Sequence, residues 1–201
     1  MIVGIKRYLK ALLVFKMWTY YRSGKKILIT RSSTIRVVKN GFLLADRITN
    51  MPAFQRKVSC YIWVGGDLII GGLDIGYADI VVFSGARVVI GKDCWMNDGS
   101  YLECEANITI GDNVLIGRNV TIRDSDGHDH GDAFGKKERC LPVVIGNSVW
   151  IGSNAMIQKG VHIGDGAIIA AGAVVCRDIP ANTLAGTPPA RVLKENVYWK
   201  P

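Results

Sequence analysis

Histidine, proline and long apolar runs are all scarce in this sequence. Its 201 residues hold three histidines and six prolines, against 23 glycines. The longest apolar run near the start, from Ala11 to Phe15, is far too short to cross a bilayer. No A-x-A-like cleavage site follows it, which argues against a secretory signal. We therefore expect a cytoplasmic protein of one domain with a modest appendage, in which glycine supplies many tight turns.

Metal-binding patterns of cysteine and histidine are also missing. The five cysteines are Cys60, Cys94, Cys104, Cys140 and Cys176, and no two of them form a C-x-x-C pair. No histidine stands at zinc-ligand spacing from them. An odd, scattered set of this kind indicates free, mostly buried thiols in a reducing compartment. The sequence therefore predicts no metal site.

Acidic residues are missing from the first 45 positions, which contain ten lysines or arginines. The rest of the chain has 15 basic and 17 acidic residues, so the net charge of +8 is the sum of +10 for residues 1–45 and −2 for the rest. Because the excess of positive charge is confined to residues 1–45, nucleic acid is not expected as a partner of the remaining chain. Residues 1–26 are predicted to form a basic amphipathic helix. Two roles stay open for it: peripheral contact with an anionic membrane at the inner face of the cytoplasmic membrane, or a cap on the open edge of the first coils.

An aliphatic residue returns every six positions through much of the chain and is often followed by glycine. Six residues fit one short strand and one tight turn, and three such units close a triangular coil with the aliphatic residues inside. An amphipathic helix would need apolar spacings of three and four. The period therefore predicts a parallel β-helix. It is carried by Ile90, Met96, Leu102, Ile110, Ile116, Ile122, Ile145, Ile151, Ile157, Ile163, Ile169 and Val175.

The block IGNSVWIGSNAMIQKGVHIGDGAIIAAGAVVCRDIPANTLAGTPPARVLKE resembles the C-terminal half of the hexapeptide-repeat acyltransferases. Within that family it is most similar to the sugar O-acetyltransferase group, which includes galactoside, maltose and capsule or O-antigen acetylating enzymes. The similarity covers about residues 65–195. It implies an all-β, left-handed parallel β-helix, a homotrimer, and acetyl-CoA as the acetyl donor. The first 60 residues do not match the helical N-terminal domain of the galactoside and maltose enzymes, so the acceptor stays open.

Three segments are expected along the chain. Residues 1–26 form the basic N-terminal segment, and residues 27–185 form the β-helix acyltransferase domain, with an extruded loop over residues 123–142. Residues 186–201 form a C-terminal tail with a short helix.

The extruded loop carries His128 and His130 among several aspartates. Histidine suits general-base catalysis because its pKa is close to the working pH. In the family, the catalytic histidine lies on this loop, slightly more than twenty residues before the tryptophan of the V-W-I-G motif. Here that tryptophan is Trp150, which His128 precedes by 22 positions. The resemblance therefore assigns the base to His128 rather than to His130.

A neighbouring carboxylate is expected to orient the His128 imidazole and fix its tautomer. We assign this role to Asp126, with Asp124 as the alternative. Two other interpretations of the loop remain: a solvated polar loop with incidental histidines, and a metal site built on the H-D-H-G-D stretch. The third histidine, His162, lies on a regular coil and is expected to be structural or surface-exposed.

The resemblance also places acceptor ligands at Asn97 and Glu105, and Trp150 lies beside the return of the loop in the sequence. Amide and carboxylate groups can bind sugar hydroxyls, and an indole can flank the acceptor pocket or the pantetheine arm and donate its N–H. Each residue has a structural alternative: a left-handed corner for Asn97, a solvated turn for Glu105, and plain packing for Trp150.

Coenzyme A contacts are implied at five positions of the C-terminal half. Small residues let the pantetheine arm lie along a coil, a backbone N–H can bind the thioester, and basic residues pair with phosphates. Cys176 stands where the family usually has threonine, and the basic residues could equally be ordinary surface groups. The implied contacts are Ser153, Ala171, Arg177, Arg191 and Lys194.

The sequence thus predicts an enzyme that moves an acetyl group from acetyl-CoA to a saccharide hydroxyl, without an acyl-enzyme. The saccharide is expected to belong to capsule, O-antigen or another exopolysaccharide. One alternative is N-acetylation of a nucleotide-linked amino sugar. A second alternative, from another class, is a non-catalytic solenoid scaffold.

Overall fold

The structure is a computed structural model that describes the backbone of residues 17–22, 25–30, 34–44 and 61–197. In this part of the chain every regular element is a β-strand. The strands are β1 (Met17–Arg22), β2 (Lys25–Thr30), β3 (Thr34–Leu44), β4 (Tyr61–Val64), β5 (Asp67–Ile75), β6 (Asp79–Val82), β7 (Arg87–Ile90), β8 (Cys94–Met96), β9 (Tyr101–Cys104), β10 (Asn107–Ile110), β11 (Leu115–Ile116), β12 (Thr121–Arg123), β13 (Gly131–Asp132), β14 (Gly135–Lys136), β15 (Val143–Ile145), β16 (Trp150–Ile151), β17 (Met156–Ile157), β18 (His162–Ile163), β19 (Ile168–Ile169), β20 (Val174–Val175), β21 (Thr183–Gly186) and β22 (Arg191–Glu195).

The strands stack in parallel as the three faces of a prism. The first face runs through β4, β6, β9, β12, β17 and β20. The second face runs from the first half of β5 through β7, β10 and β15 to β18. The third face runs from the second half of β5 through β8, β11, β16 and β19 to β21. Because each successive coil adds one strand to each face, the predicted parallel β-helix is confirmed.

The core is the interior of this prism, and it is filled by the aliphatic residues that carry the six-residue period. Ile110, Ile122 and Ile157, for example, are at most 2% exposed. Burying one such side chain contributes about 1.5–3 kcal/mol. Several corners take a left-handed residue, such as Asn113 with φ of 57° and Asn154 with φ of 61°. The repeat therefore forms coils because its apolar positions face inward and its corners accept positive φ.

Both predicted helices are wrong where the structure describes them. Met17–Arg22 is strand β1, which pairs antiparallel with β2, and β2 in turn extends the first face beside β4. Arg191–Glu195 is strand β22, which pairs antiparallel with β21. Strands form here because the outer coils have unpaired backbone edges that another strand can satisfy. The aromatic run from Trp18 to Tyr21 also favours a strand. The prediction for residues 1–16 lies outside the described residues.

None of the described residues forms a helix long and apolar enough to span a membrane.

Candidate active site

The coils are interrupted between β12 and β15 by a β-arm, residues 124–142. The arm leaves and returns as an antiparallel stem. In this stem Leu141 N–H donates to the Asp124 carbonyl at 2.9 Å, and Asp126 N–H donates to the Arg139 carbonyl at 3.1 Å. Beyond the stem, β13 and β14 pair as a short hairpin at the tip. These backbone bonds within the arm give it a defined shape.

Asp124 fixes the base of the arm to the coil beside it. Its carboxylate is fully buried and accepts the backbone N–H groups of Glu105, Ala106 and Asn107 at 2.8, 2.8 and 2.6 Å. The Cys104 thiol donates to the same carboxylate at 3.3 Å. A carboxylate with these donors is a structural group, so the alternative that Asp124 orients His128 is wrong in this structure.

Glu105 is a second anchor at the base of the arm. One carboxylate oxygen accepts the Ser125 hydroxyl at 2.8 Å, and the other pairs with the Arg139 guanidinium. The Glu105 side chain is only 10% exposed. The predicted acceptor ligand is therefore tied to both strands of the arm, and it is not a solvated turn residue.

Asp126 lies on the outgoing strand and pairs with His130, not with His128. The distance from Asp126 Oδ2 to His130 Nε2 is 2.6 Å. The same carboxylate contacts the Lys159 ammonium. The hydrogen bond from Lys159 is the main cause that lowers the pKa of the Asp126 carboxyl below its ordinary value, and His130 adds to it. Asp126 is thus held in its charged form.

His128 is exposed and follows Gly127, whose φ is 78°. Its ring makes no hydrogen bond or ion pair with the part of the chain that the structure describes. The expected contact with Asp126 is absent because the arm brings His130 to that carboxylate instead. Both ring nitrogens of His128 are consequently available to a molecule outside the subunit.

Asn97, Ser153 and Ala171 share another corner of the prism, which we call the Asn97 corner. Asn97 Nδ2 donates to the Ile116 carbonyl at 2.8 Å. Its φ is not positive, so the left-handed alternative for this residue is wrong. Arg118 N–H, one coil further, donates to Ser153 Oγ at 3.2 Å. This corner comprises residues 97–99, 117–119, 152–154 and 170–172.

A pocket opens at the Asn97 corner. It brings an aromatic ring, carboxylates, an amide and a guanidinium together, which are the groups that bind polar ligands such as sugars. Its lining residues are Asp74, Gly76, Trp95, Met96, Asn97, Asp98 and Arg118.

Trp150 lies on the third face, in register with Leu115 and Ile168. It is 41% exposed. The chain returns from the arm at Val143 on the second face, so one corner of the coil lies between that return and Trp150.

The predicted basic residues come together only in part. Arg177 and Arg191 line one pocket with Thr187, Pro188, Pro189 and Ala190, where the Pro188–Pro189 peptide bond is cis. Lys194 is exposed on β22, opposite Leu184. Cys176, beside Arg177, is exposed as well.

The candidate residues therefore lie at two corners of the prism. Glu105 and the histidines belong to the corner from which the arm leaves, which we call the arm corner. Asn97, Ser153 and Ala171 belong to the Asn97 corner. The first face separates these corners, so a single chain brings Glu105 close to the arm that carries His128 but does not bring Asn97 to it.

Lys159, Arg139 and Ser125 hold the arm in place and were not predicted from the sequence. Lys159 occupies a corner of the repeat, where a basic residue is usually solvated. Only its contact with Asp126, far away along the chain, reveals its role. A weak signal existed in the neighbouring Gly160, which marks a tight corner with φ of 74°.

No cluster of metal-ligating side chains occurs among the described residues. Cys94, Cys104, Cys140 and Cys176 are free thiols, and the first two are buried. Burial is the main cause that raises the pKa of the Cys94 thiol to about 11, and it also raises the pKa of Cys104. Cys94 and Cys104 are therefore poor nucleophiles.

Known proteins match this chain over its coils. The family described as bacterial transferase hexapeptide (six repeats) matches residues 142–177, and the hexapeptide repeat of succinyl-transferase matches residues 107–127. Galactoside O-acetyltransferase of Escherichia coli (strain K12) is 41% identical over 117 residues, which is 57% of this chain and 58% of the relative. Polysialic acid O-acetyltransferase of Escherichia coli O1:K1 / APEC is 36% identical over 124 residues, which is 60% of this chain and 40% of the relative.

A solved structure shares the architecture. It is a hexapeptide-repeat-containing acetyltransferase from Vibrio cholerae O1 biovar eltor, complexed with acetyl coenzyme A. The similarity has a TM-score of 0.52 at 33% identity and covers 60% of this chain and 66% of that one. The chain spans only 58% of the length of the galactoside O-acetyltransferase and 40% of that of the polysialic acid O-acetyltransferase. The repeats, the coils and these relatives confirm the resemblance to the hexapeptide-repeat acyltransferases found in the sequence, and with it the left-handed parallel β-helix.

Proposed function

We propose that this protein transfers an acetyl group from acetyl-CoA to a hydroxyl of a saccharide. The observation that carries the proposal is the β-arm, which interrupts the regular coils to present His128 on the surface with its ring nitrogens unengaged. Two relatives named for O-acetyl transfer to galactosides and to polysialic acid support it, as does the similar structure complexed with acetyl coenzyme A.

The chemistry requires one base and no covalent intermediate. His128 accepts the hydroxyl proton as the hydroxyl oxygen bonds to the acetyl carbonyl carbon. The C–S bond of the thioester then breaks, and the leaving CoA thiolate takes the proton from His128. Asp126 assists indirectly. Its charged carboxylate bonds His130 and Lys159, and these contacts fix the segment of the arm that carries His128. No acyl-enzyme is expected, since none of the nucleophiles in the described residues is paired with a base as in a triad.

The residues proposed to bind acetyl-CoA fit a long polyanion. Arg177 and Arg191 line one pocket and can pair with phosphates, with Lys194 as a further cation. Ser153 and Ala171 offer a small-residue corner, at which the backbone N–H of Ser153 can donate to the thioester oxygen. One face of the prism lies between Ala171 and Arg177, a separation that an extended thin molecule can bridge.

We propose that the active species is a homotrimer, which the position of the two corners supports. Asn97 and His128 lie at opposite edges of the first face, so a complete site needs the Asn97 corner of one subunit beside the arm corner of another. Threefold packing would bring such unlike corners together in three equivalent clefts and would close the assembly, with every interface paired. Trp150 and Glu105 then approach the same cleft from different subunits.

The acceptor is proposed to be a saccharide of capsule, O-antigen or another exopolysaccharide. Asn97 lies in a pocket with Trp95 and Arg118, a combination of amide, aromatic ring and cation that suits a polar sugar. Asn97 and Glu105 are the proposed ligands for its hydroxyls.

An acceptor screen tests the function. Purified protein is incubated with acetyl-CoA and a panel of nucleotide sugars and oligosaccharides, and the released thiol is measured. We expect thiol release that depends on a hydroxyl-bearing sugar, with an O-acetyl ester in the product by mass spectrometry. Acetylation restricted to amino sugars would indicate the N-acetyltransferase alternative. If calorimetry detects no binding of acetyl-CoA, only the alternative of a non-catalytic scaffold remains.

A further inference from the structure

Lys159 contacts the arm from the neighbouring coil, and nothing in the proposed chemistry uses it. We propose that Lys159 is a positioning residue that clamps both strands of the arm and thereby fixes the histidine segment in its working position. The inference rests on the proposed transferase function.

The clamp joins three stretches of chain at one ammonium group. The Lys159 side chain is only 17% exposed. Its Nζ pairs with Asp126 on the outgoing strand and donates to the Glu138 carbonyl on the returning strand. Hydrogen bonds to an ion are stronger than those between neutral groups, and partial burial limits their competition with water. Lys159 therefore holds the two strands to each other and to the coil.

The coil corner next to Lys159 is shaped to receive the arm. Gly160 N–H donates to the Leu141 carbonyl at 3.1 Å. A Cβ added at Gly160 would lie 3.1 Å from Leu141 Cδ1, which is a tight contact, and the φ of 74° further disfavours a side chain. The close approach of this corner to the end of the arm leaves Lys159 at a fixed distance from the stem.

Asp126 passes the effect of Lys159 to the histidine segment. The carboxylate that Lys159 contacts also bonds His130 Nε2 at 2.6 Å, two residues from the proposed base. Its pKa is lowered, so it stays charged over the pH range in which histidine titrates. The chain Lys159–Asp126–His130 thus extends from the solenoid to the part of the arm that carries His128.

Other lysines of the arm make ion pairs of a different kind. Lys136 pairs with Asp129 at 3.0 Å, with side chains 69% and 63% exposed. Lys137 pairs with Asp132 at 3.0 Å, with side chains 50% and 48% exposed. Such exposed pairs contribute little. Lys136 is therefore a matched control: it has the same side chain and the same kind of partner on the same arm, but no contact with the coil.

Kinetics separate a positioning role from a merely structural one. Acetyl-CoA and p-nitrophenyl β-galactoside serve as substrates for Lys159→Met, Lys159→Arg and the control Lys136→Met. We expect Lys159→Met to lower kcat by about 10–100-fold, since a small displacement of a catalytic group has effects of that size. The KM for acetyl-CoA should stay unchanged.

Two further variants serve as controls. Lys159→Arg should restore most of kcat, and Lys136→Met should match the unmodified protein. The combination of Lys159→Met with Asp126→Asn should be far less than multiplicative, because both act through one contact.

Hydrogen exchange tests the clamp without relying on turnover. In Lys159→Met, the Asp126 and Lys137 amides, which bond across the arm, should exchange at least tenfold faster than in the unmodified protein, while the Val144 amide of the coil stays protected. Unchanged exchange at Asp126 overturns the clamp even if kcat falls. Faster exchange with unchanged kcat overturns the positioning role. A fully active His128→Ala variant would instead overturn the proposed function. The hydrogen-exchange measurement on Lys159→Met would still test whether Lys159 clamps the arm.

Discussion

Two aspartates at the base of the arm, two positions apart, have different roles because their surroundings differ. Asp124 is buried and accepts three backbone N–H groups, so it belongs to the scaffold. Asp126 is partly exposed and contacts Lys159 and His130, so it belongs to the surface that carries the histidines. The chemistry of a carboxylate is therefore set by the donors around it.

His128 is predicted to be the essential histidine. His128→Ala should lower kcat by about 10²–10⁴-fold, the usual loss on removal of a general base. Acetyl-CoA affinity, measured by calorimetry, should stay nearly unchanged. His130→Ala should have a much smaller effect, because its ring is engaged with Asp126. If His130→Ala is the inactive variant and His128→Ala keeps its activity, the Asp126–His130 pair is the catalytic base instead.

Asp124 is predicted to matter for stability rather than for chemistry. Asp124→Asn puts an amide donor among buried backbone donors and should cost about 3 kcal/mol or more. The thermal midpoint, at fixed protein concentration, should fall by several degrees. Asp129→Asn, which changes an exposed carboxylate of the same arm, is the control and should leave the midpoint within about one degree. Equal midpoints for the two variants would contradict the anchoring role.

At the scale of elements, the arm and the coils are separate units joined at a narrow base. The stem bond from Asp126 N–H to the Arg139 carbonyl closes the arm before the tip begins. The coils on either side continue in register, since β12 pairs with β17 and β10 pairs with β15 across the gap. The solenoid therefore does not need the outer part of the arm for its own pairing.

Replacing residues 127–138 with two glycines should leave a folded solenoid. Asp126 and Arg139 already face each other across an antiparallel pair, which a two-residue turn can close. Circular dichroism and acetyl-CoA affinity should be close to those of the intact protein, while turnover falls to background. Loss of the β-signal in this variant would indicate that the arm is part of the folding unit.

The coils could be predicted from the sequence, whereas the terminal strands and the clamp could not. The six-residue period to which Ile110 and Ile122 belong predicts the coils, because it depends only on residues that are close along the chain. Strand β22 exists because β21 has an open edge, and that edge arises only from the stacking of coils. Likewise, whether Asp126 faces His128 or His130 depends on the register of the arm, which no local spacing fixes.

At the scale of the molecule, the two edges of the first face carry the proposed acceptor ligand Asn97 and the arm with the proposed base. Asn97 stands at one edge and the arm at the other, and the face between them carries polar groups such as Tyr101, Glu103 and Arg123. Burial and the hydrogen bond to Glu103 raise the pKa of the Tyr101 hydroxyl, so it stays protonated at any working pH. A neighbouring subunit packed against this face would bring unlike corners together.

Mixing two inactive variants tests this arrangement directly. Asn97→Ala and His128→Ala should each be inactive as pure trimers of about 66 kDa, three times the chain mass of 22.0 kDa. Subunits of both kinds, co-expressed in equal amounts, should recover activity in about a quarter of the sites, since each site takes one corner from either neighbour independently. Mixing pure trimers without subunit exchange is the control and should recover nothing. An active monomer in light scattering, or no recovery from mixed trimers of the correct mass, would mean that His128 and Asn97 do not act in a shared site.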